Sequence, residues 1–143
     1  MNSPISVRRG ATATSLYGLF DPLPYGLFVG ALIFDAIYAN TAVMLWNKGA
    51  AWLITIGLLF AIIPRVIQLV WVCTRSQRSD KADVLDFSFN LVAIIAATAN
   101  AFVHSRDAYG VMPTGLWLSI ATVAFIAAAR LTMSIHMART QGA

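Results

Sequence analysis

Asp35 is the residue whose type and position most clearly indicate chemistry. It lies between Phe34 and Ala36 in a long apolar stretch, where an ionised carboxylate costs roughly 2.5–3.5 kcal/mol on insertion scales. Its carboxyl group must therefore be protonated, paired, or turned toward the interior of a helical bundle. The sequence allows a proton or substrate site, but it favours a structural ion pair that fixes the register of the helices.

Two arginines inside apolar segments are the predicted partners of Asp35. Arg65 and Arg130 each lie about two helical turns from the end of their segment, slightly shallower than Asp35. Their side chains are long enough to bridge that difference. We therefore predict a polar intramembrane network of Asp35, Arg65 and Arg130. It would be completed by Asp86 and Asn90, which are four residues apart and share one helix face.

A second set of polar residues is predicted nearer the opposite ends of the helices. Asn40, Asn100 and His104 would form this outer polar cluster. With the network around Asp35 it could line a polar seam through the bundle. The alternative is ordinary hydrogen bonding between helices, worth about 0.6 kcal/mol per contact, and that alternative is favoured.

The histidines raise the question of a haem. His104 and His136 would end different helices at opposite faces, about 30 Å apart across the bilayer core, so they cannot ligate one iron. No cofactor is predicted, although a haem on a single axial histidine and a quinone remain alternatives. The single cysteine, Cys73, excludes an intramolecular disulfide and a cysteine-rich metal site.

The motifs of the common enzyme classes are absent from the sequence. It contains no Walker loop, dinucleotide fingerprint, nucleophile–base triad or zinc-ligand spacing. It also has no basic stripe interleaved with stacking aromatic residues, so nucleic acid is not an expected partner. We therefore expect no catalytic activity from this chain on its own.

The composition indicates that lipid is the solvent of this protein. Of 143 residues, 59% are hydrophobic and only 11% are charged, against about 25% charged in soluble domains. Four segments reach the length of about 20 residues that spans a bilayer. They are Tyr25–Leu45, Ala50–Val72, Val84–His104 and Thr114–Met137. The predicted fold is an all-α integral membrane four-helix bundle.

Short links pair the four segments into two helical hairpins. Turn-forming residues mark the links Trp46–Gly49 and Ser105–Pro113, and the hydrophilic stretch 74–83 separates the hairpins. The domains are then a cytoplasmic or interfacial N-terminal segment (1–24), a four-helix transmembrane domain (25–137) and a cytoplasmic tail (138–143). Basic residues favour one side, which is predicted to be cytoplasmic. That side holds Arg8, Arg9, Arg75, Arg78, Lys81 and Arg139, and the other holds Lys48 and Arg106.

A repeated pattern suggests that one hairpin is a duplicate of the other. Trp52-Leu53, Phe60 and Arg65 recur at the same spacing as Trp117-Leu118, Phe125 and Arg130. The two halves would have parallel orientation, related by an axis along the membrane normal. Convergence is the alternative, since interfacial tryptophan and snorkelling arginine suit any span. The shared spacing favours duplication.

Three stretches resemble a bacterial family of small four-helix membrane domains of unknown function, DUF2231. They are the run DPLPYGLFVGALIFD (21–35), the run NLVA (90–93) and the closing Trp117-Leu118 segment. The resemblance covers about 21–137 and implies an anchoring or electron-transfer accessory role, because relatives accompany periplasmic dehydrogenases and cytochromes c. Where the family has histidines around its first proline, this chain has Asp21-Pro-Leu-Pro, so a haem or metal role of those histidines does not carry over.

These observations predict an accessory or anchoring subunit of a redox complex in the bacterial inner membrane. Its partners would be the lipid bilayer and other membrane or periplasmic subunits, or further copies of itself. The alternative is a small homo-oligomeric transporter or channel whose polar path uses Asp35, Arg65 and Arg130.

Overall fold

The protein is a bundle of four helices. The computed structural model describes the backbone of residues 22–74, 81–106 and 110–141, and the side chains of 22–66, 84–106 and 110–140. Its helices are α1 (Pro22–Thr41), α2 (Met44–Thr74), α3 (Lys81–Arg106) and α4 (Thr114–Gln141). Over these ranges the chain contains no strand. The predicted all-α four-helix architecture is confirmed.

The first link is shorter than the sequence predicted. Helix α1 ends at Thr41, and Ala42 has a positive φ of 53° with its amide donating to the carbonyl of Tyr38 over 2.8 Å, which is a left-handed helix cap. Only Ala42 and Val43 separate α1 from α2. The predicted link Trp46–Gly49 is wrong, because it lies inside α2.

Gly49 serves helix packing and not a turn. A Cβ atom at this position would come within 2.6 Å of the Phe34 ring of α1. That ring also makes an edge-on contact with Trp46, with centroids 5.1 Å apart and planes at 77°. The glycine therefore allows α1 and α2 to approach closely at the outer end of the hairpin.

The helices form a closed ring. Helix α1 packs most extensively on α2, and α3 on α4, while the contacts of α1 with α4 and of α2 with α3 close the ring. Alanines make up much of the centre, and the ring of Phe28 on α1 packs against Gly57 on α2. The buried apolar layer consists of Phe28, Ala31, Ile54, Ala61, Ala93, Ala97 and Ile126.

The outer surface of the bundle is apolar over membrane-length distances. Each helix contains a stretch long and apolar enough to cross a bilayer: Pro22–Thr41, Met44–Val66, Val84–Arg106 and Thr114–Thr140. The side chains of Leu45, Trp52, Phe102 and Trp117 are at least 66% exposed. Such a surface has no favourable contact with water, so the bundle is built for lipid or for protein neighbours in the membrane.

Candidate functional site

The most deeply buried polar group of the bundle is the carboxyl of Asp35. It is 0% exposed and lies on α1 between the apolar layer and the outer helix ends. Its Oδ1 is 2.8 Å from Nε2 of His104 on α3. Its Oδ2 accepts a 2.5 Å hydrogen bond from the hydroxyl of Ser119 on α4. Three helices thus meet at one carboxyl group.

The geometry around His104 fixes which of its nitrogens carries a proton. Nδ1 is 3.0 Å from the backbone carbonyl of Asn100. A carbonyl can only accept, so Nδ1 must be the donor there. A hydrogen bond between Nε2 and the carboxyl of Asp35 over 2.8 Å requires one further proton between these two atoms. With that proton the pair as a whole is neutral, which removes the cost of burying a single charge.

A chain of donors leads into the same carboxyl group. The Asn100 side-chain amide donates to the Ser119 hydroxyl over 2.7 Å, and that hydroxyl donates to Asp35. We call Asp35, Asn100, His104 and Ser119 the outer cluster. All four side chains are buried. Asn100 Oδ1 has no hydrogen-bond partner among the described residues, which suits a buried water.

Gly115 makes room for the outer cluster. A Cβ atom on Gly115 would lie 3.0 Å from His104 Cε1 and 2.6 Å from a methyl of Val111. The first turn of α4 can therefore approach the end of α3 only because position 115 lacks a side chain. This contact brings Ser119, one turn further along α4, to the level of Asn100 and His104.

The outer cluster is not a hydrolytic triad, although it contains Ser, His and Asp. In a triad the imidazole accepts the proton of the serine hydroxyl. Here that hydroxyl donates to Asp35 and the imidazole does not contact it. Both ring nitrogens of His104 are engaged, so this arrangement does not fit an axial haem ligand at His104. No group of three or more His, Cys, Asp or Glu is placed to hold a metal ion among the described residues.

A second polar group, the inner cluster, lies toward the other end of the bundle and contains Arg65, Asp86 and Asn90. Arg65 Nη1 of α2 donates to Asp86 Oδ2 of α3 over 3.4 Å, with both side chains partly exposed. The Asn90 amide donates to the Asp86 carboxyl over 3.1 Å and to its backbone carbonyl over 2.8 Å. Asp86 and Asn90 share a face, as their spacing predicted.

A cleft adjoins the inner cluster. Arg65 and Arg130 both line it, from α2 and α4, and Asn90 lines it from α3. Its apolar lining includes Pro24, Phe28, Pro64 and Ile126. The water-accessible part is about 20 Å³, enough for about one water molecule. The two arginines, which the sequence predicted to lie at matched depth, therefore line the same recess.

The structure divides the predicted network into these two clusters. Asp35 bonds His104 and Ser119, whereas Arg65 bonds Asp86. The predicted pairing of Asp35 with the arginines is corrected accordingly. From Asn90 to Asn100 the clusters are about 15 Å apart, at the helical rise of α3, and the buried apolar layer lies between them.

Two residues of the outer end depart from the sequence-based expectation. Asn40 does not join the cluster, because it is exposed and donates to the Ala36 carbonyl of its own helix. Ser119 was missed altogether, although it is a polar residue inside an apolar segment close to Trp117. His136 lies in the last turns of α4. It is separated from Gly115, beside His104, by about 31 Å of helical rise.

Residues 18–137 match the model of DUF2231, described as a predicted membrane protein. The match covers all four helices except the last residues of α4. The chain belongs to the DUF2231 family. The resemblance inferred from the sequence is thereby confirmed, and DUF2231 membership agrees with a four-helix membrane bundle. No curated protein and no solved structure matches the chain.

Proposed function

We propose that this DUF2231 protein is an accessory or anchoring subunit of a redox complex in the bacterial inner membrane. The observation that carries this proposal is the closed interior of the bundle. Its two polar clusters are separated by the apolar layer of Phe28, Ile54, Ile126 and four alanines. Many large hydrophobic side chains, such as Trp52, Phe102 and Trp117, are instead exposed on the outer surface. An interior of this kind supports a scaffold better than a reaction chamber.

The outward-facing surface provides the contact area that a membrane subunit needs. Exposed apolar side chains occur on all four helices, for example Ile33 on α1, Leu59 on α2, Ile95 on α3 and Leu131 on α4. Association of helices in lipid depends on packing, because lipid tails are as apolar as the side chains. Such faces can therefore contact lipid or the helices of a partner subunit.

The redox part of the proposal rests on the family resemblance. Relatives that accompany dehydrogenases and cytochromes c imply a partner that transfers electrons, with a quinone as a candidate near the bundle surface. A haem ligated by His104 has less support, because both ring nitrogens of that residue form hydrogen bonds.

The alternative proposal is a homo-oligomeric transporter with a polar path through Asp35, Arg65 and Arg130. Within one chain such a path would have to cross the apolar layer between the two clusters, where water is excluded by Phe28 and Ile126. The separation of Asp35 from the arginines therefore favours the accessory function.

We also propose that one hairpin is a duplicate of the other. Asp35 and Asn100 have the same spacing in sequence as Arg65 and Arg130. Both contact the hydroxyl of Ser119. Equivalent positions of the two hairpins thus carry polar residues that meet within the outer cluster, which supports a common origin.

The accessory function is tested by purifying the tagged chain from its native membrane in a mild detergent. Native mass determination should give a complex with a second, redox-active subunit in fixed ratio, and its absorption spectrum should contain the bands of that subunit's cofactor. An unrelated tagged four-span protein serves as the control for non-specific capture. Purification of the chain as a defined homo-oligomer without other subunits would contradict the proposal and favour the transporter.

A further inference from the structure

The outer cluster lies close to the outer end of the bundle, although its side chains are buried. The imidazole of His104 lies against Gly115, the second residue of α4, and therefore at the depth of the first turn of that helix. Ser119 lies one turn further along α4, at a helical rise of about 6 Å. A proton from the water at this end of the bundle thus crosses little more than one helical turn to reach the carboxyl of Asp35.

The hydrogen bonds of the outer cluster leave a position for one further proton. His104 Nδ1 donates to the backbone carbonyl of Asn100, and one proton joins Nε2 to Oδ1 of Asp35. Oδ2 of Asp35 accepts from the Ser119 hydroxyl. A proton added to Oδ2 would reverse that contact, because the carboxyl group would become the donor and the hydroxyl oxygen the acceptor. The hydrogen of the Ser119 hydroxyl would then need another acceptor.

Asn100 supplies that acceptor. The residue is 1% exposed, its Nδ2 lies 2.7 Å from the Ser119 hydroxyl, and its Oδ1 has no hydrogen-bond partner among the described residues. A half-turn of the amide group would bring Oδ1 to the position of Nδ2, where it can accept the hydrogen of Ser119. Since each orientation leaves one amide atom without this partner, the protonation of Asp35 decides between them.

Few other ionisable groups face the outer cluster in the described part of the bundle. The phenol of Tyr38 is buried one turn from Asp35 on α1, and such a group titrates near pH ~10. Lys48 on α2 and Arg106 on α3 are exposed. The buried residues of α4 at this level have no ionisable side chain; they are Gly115, Ser119 and Thr122. A proton taken up here below neutral pH therefore goes to the pair of Asp35 and His104.

We propose that the outer cluster is a proton-binding site, in which the pair of Asp35 and His104 takes up one further proton. The hydrogen bonds from Asn100 through Ser119 to Asp35 reverse their direction to hold it. The proton comes from water, no bond between heavy atoms forms or breaks, and the charge of the cluster rises by one. This site does not depend on a partner subunit, so it can be tested on the purified chain.

The test is an NMR titration of the chain in detergent micelles, isotope-labelled in histidine, aspartate and asparagine. The chain has 2 histidines, so His136→Gln leaves the imidazole of His104 as a single signal and serves as the control. On acidification we expect the His104 ring and the Asp35 carboxyl to change in one joint transition, because a coupled pair titrates as a unit. The side-chain amide of Asn100 should change in the same transition.

Ser119→Ala tests the reversal of the hydrogen bonds. It removes the hydroxyl between Asp35 and Asn100, so the Asn100 amide signal should no longer follow the transition. Thr122→Val removes a hydroxyl that donates to the Leu118 carbonyl of its own helix, and it should leave the joint transition unchanged. The proposal would be overturned by His104 and Asp35 signals that stay constant in the wild type at every pH at which circular dichroism shows it folded. An Asn100 amide signal that stays constant in the wild type, or that still follows the transition in Ser119→Ala, would overturn it as well.

Discussion

At the scale of single residues, the cost of burying the polar side chains of Asp35 and His104 is offset by the hydrogen bond between them. The side chains of Asp35 and His104 form a 2.8 Å hydrogen bond, and they are 0% and 1% exposed. Either residue without the other would leave a buried polar group that has lost its hydrogen-bond partner. A buried pair of this type costs about 3–5 kcal/mol to break by removing one member.

The pairing of Asp35 with His104 predicts strong coupling between these two positions. Asp35→Asn and His104→Gln should each destabilise the protein by about 3 kcal/mol. The double variant should lose about 1–3 kcal/mol less than the sum of the two single losses. The measurement is reversible unfolding in mixed micelles, followed by circular dichroism.

The matched control is a second double-mutant cycle. It pairs Asp35 with Arg65, the partner that the sequence predicted, instead of with His104. Asp35→Asn combined with Arg65→Gln should be additive within about 0.5 kcal/mol, because the two residues belong to different clusters. Coupling in this second cycle and additivity in the first would show that the assignment of partners is wrong.

The close packing of Gly115 against the outer cluster predicts that adding a single methyl group at this position lowers the stability of the protein. Gly115→Ala would place a methyl group 3.0 Å from the imidazole of His104, and such overpacking costs about 1–3 kcal/mol. Gly26→Ala is the control, since a Cβ atom at that position of α1 meets nothing within 4 Å. It should be neutral or stabilising by up to about 1 kcal/mol. Equal thermal stability of the two variants would contradict the close packing at Gly115.

At the scale of helices, glycines determine how closely neighbours approach. Gly49 of α2 faces the ring of Phe34 on α1, and Gly57 faces the ring of Phe28. A large side chain on one helix thus enters a gap in the other, which is how helices pack tightly in lipid. The α1–α2 hairpin is consequently stabilised by complementary packing of side chains more than by hydrogen bonds between side chains.

Shape complementarity in this hairpin predicts a compensating pair of substitutions. Gly49→Ala should lower stability by about 1–3 kcal/mol, because its methyl would lie 2.6 Å from the Phe34 ring. Phe34→Leu should recover part of that loss in the double variant, although Phe34→Leu alone is itself destabilising. Thermal unfolding of the four proteins gives the result. A double variant less stable than the sum of the single effects would refute the proposed contact.

At the scale of the whole molecule, the charge distribution predicts the orientation in the membrane. Lys48 lies in the first turns of α2 and Arg139 in the last turn of α4, and the two side chains are exposed. They would lie on opposite sides, with Arg139 in the cytoplasm.

Cysteine labelling tests this orientation. In a Cys73→Ser background, Lys48→Cys should react with a membrane-impermeant maleimide in intact spheroplasts. Arg139→Cys should react only after the membrane is permeabilised. Labelling in the opposite order would reverse the topology, and equal labelling of both in intact cells would contradict four spans.

The fold was predictable from the sequence because the bilayer imposes it. Four apolar segments of spanning length must form helices, since every backbone group needs an internal partner in hydrocarbon. Gly49 misled the prediction of the first link because glycine marks turns and close helix contacts alike, and hydropathy does not distinguish them. The face shared by Asp86 and Asn90 was likewise predictable, because it depends on helical periodicity alone.

The partners of Asp35 were decided by tertiary structure. The sequence determined that a buried carboxyl needs a partner, since isolated charge is costly in lipid. It favoured the arginines because their depth along the helices is similar. Depth does not specify how each helix is rotated about its axis, or how far α3 and α4 slide past α1. The gap at Gly115 and the packing around it set that rotation. They bring His104 and Ser119 to Asp35 and leave Arg65 and Arg130 at the separate inner cleft.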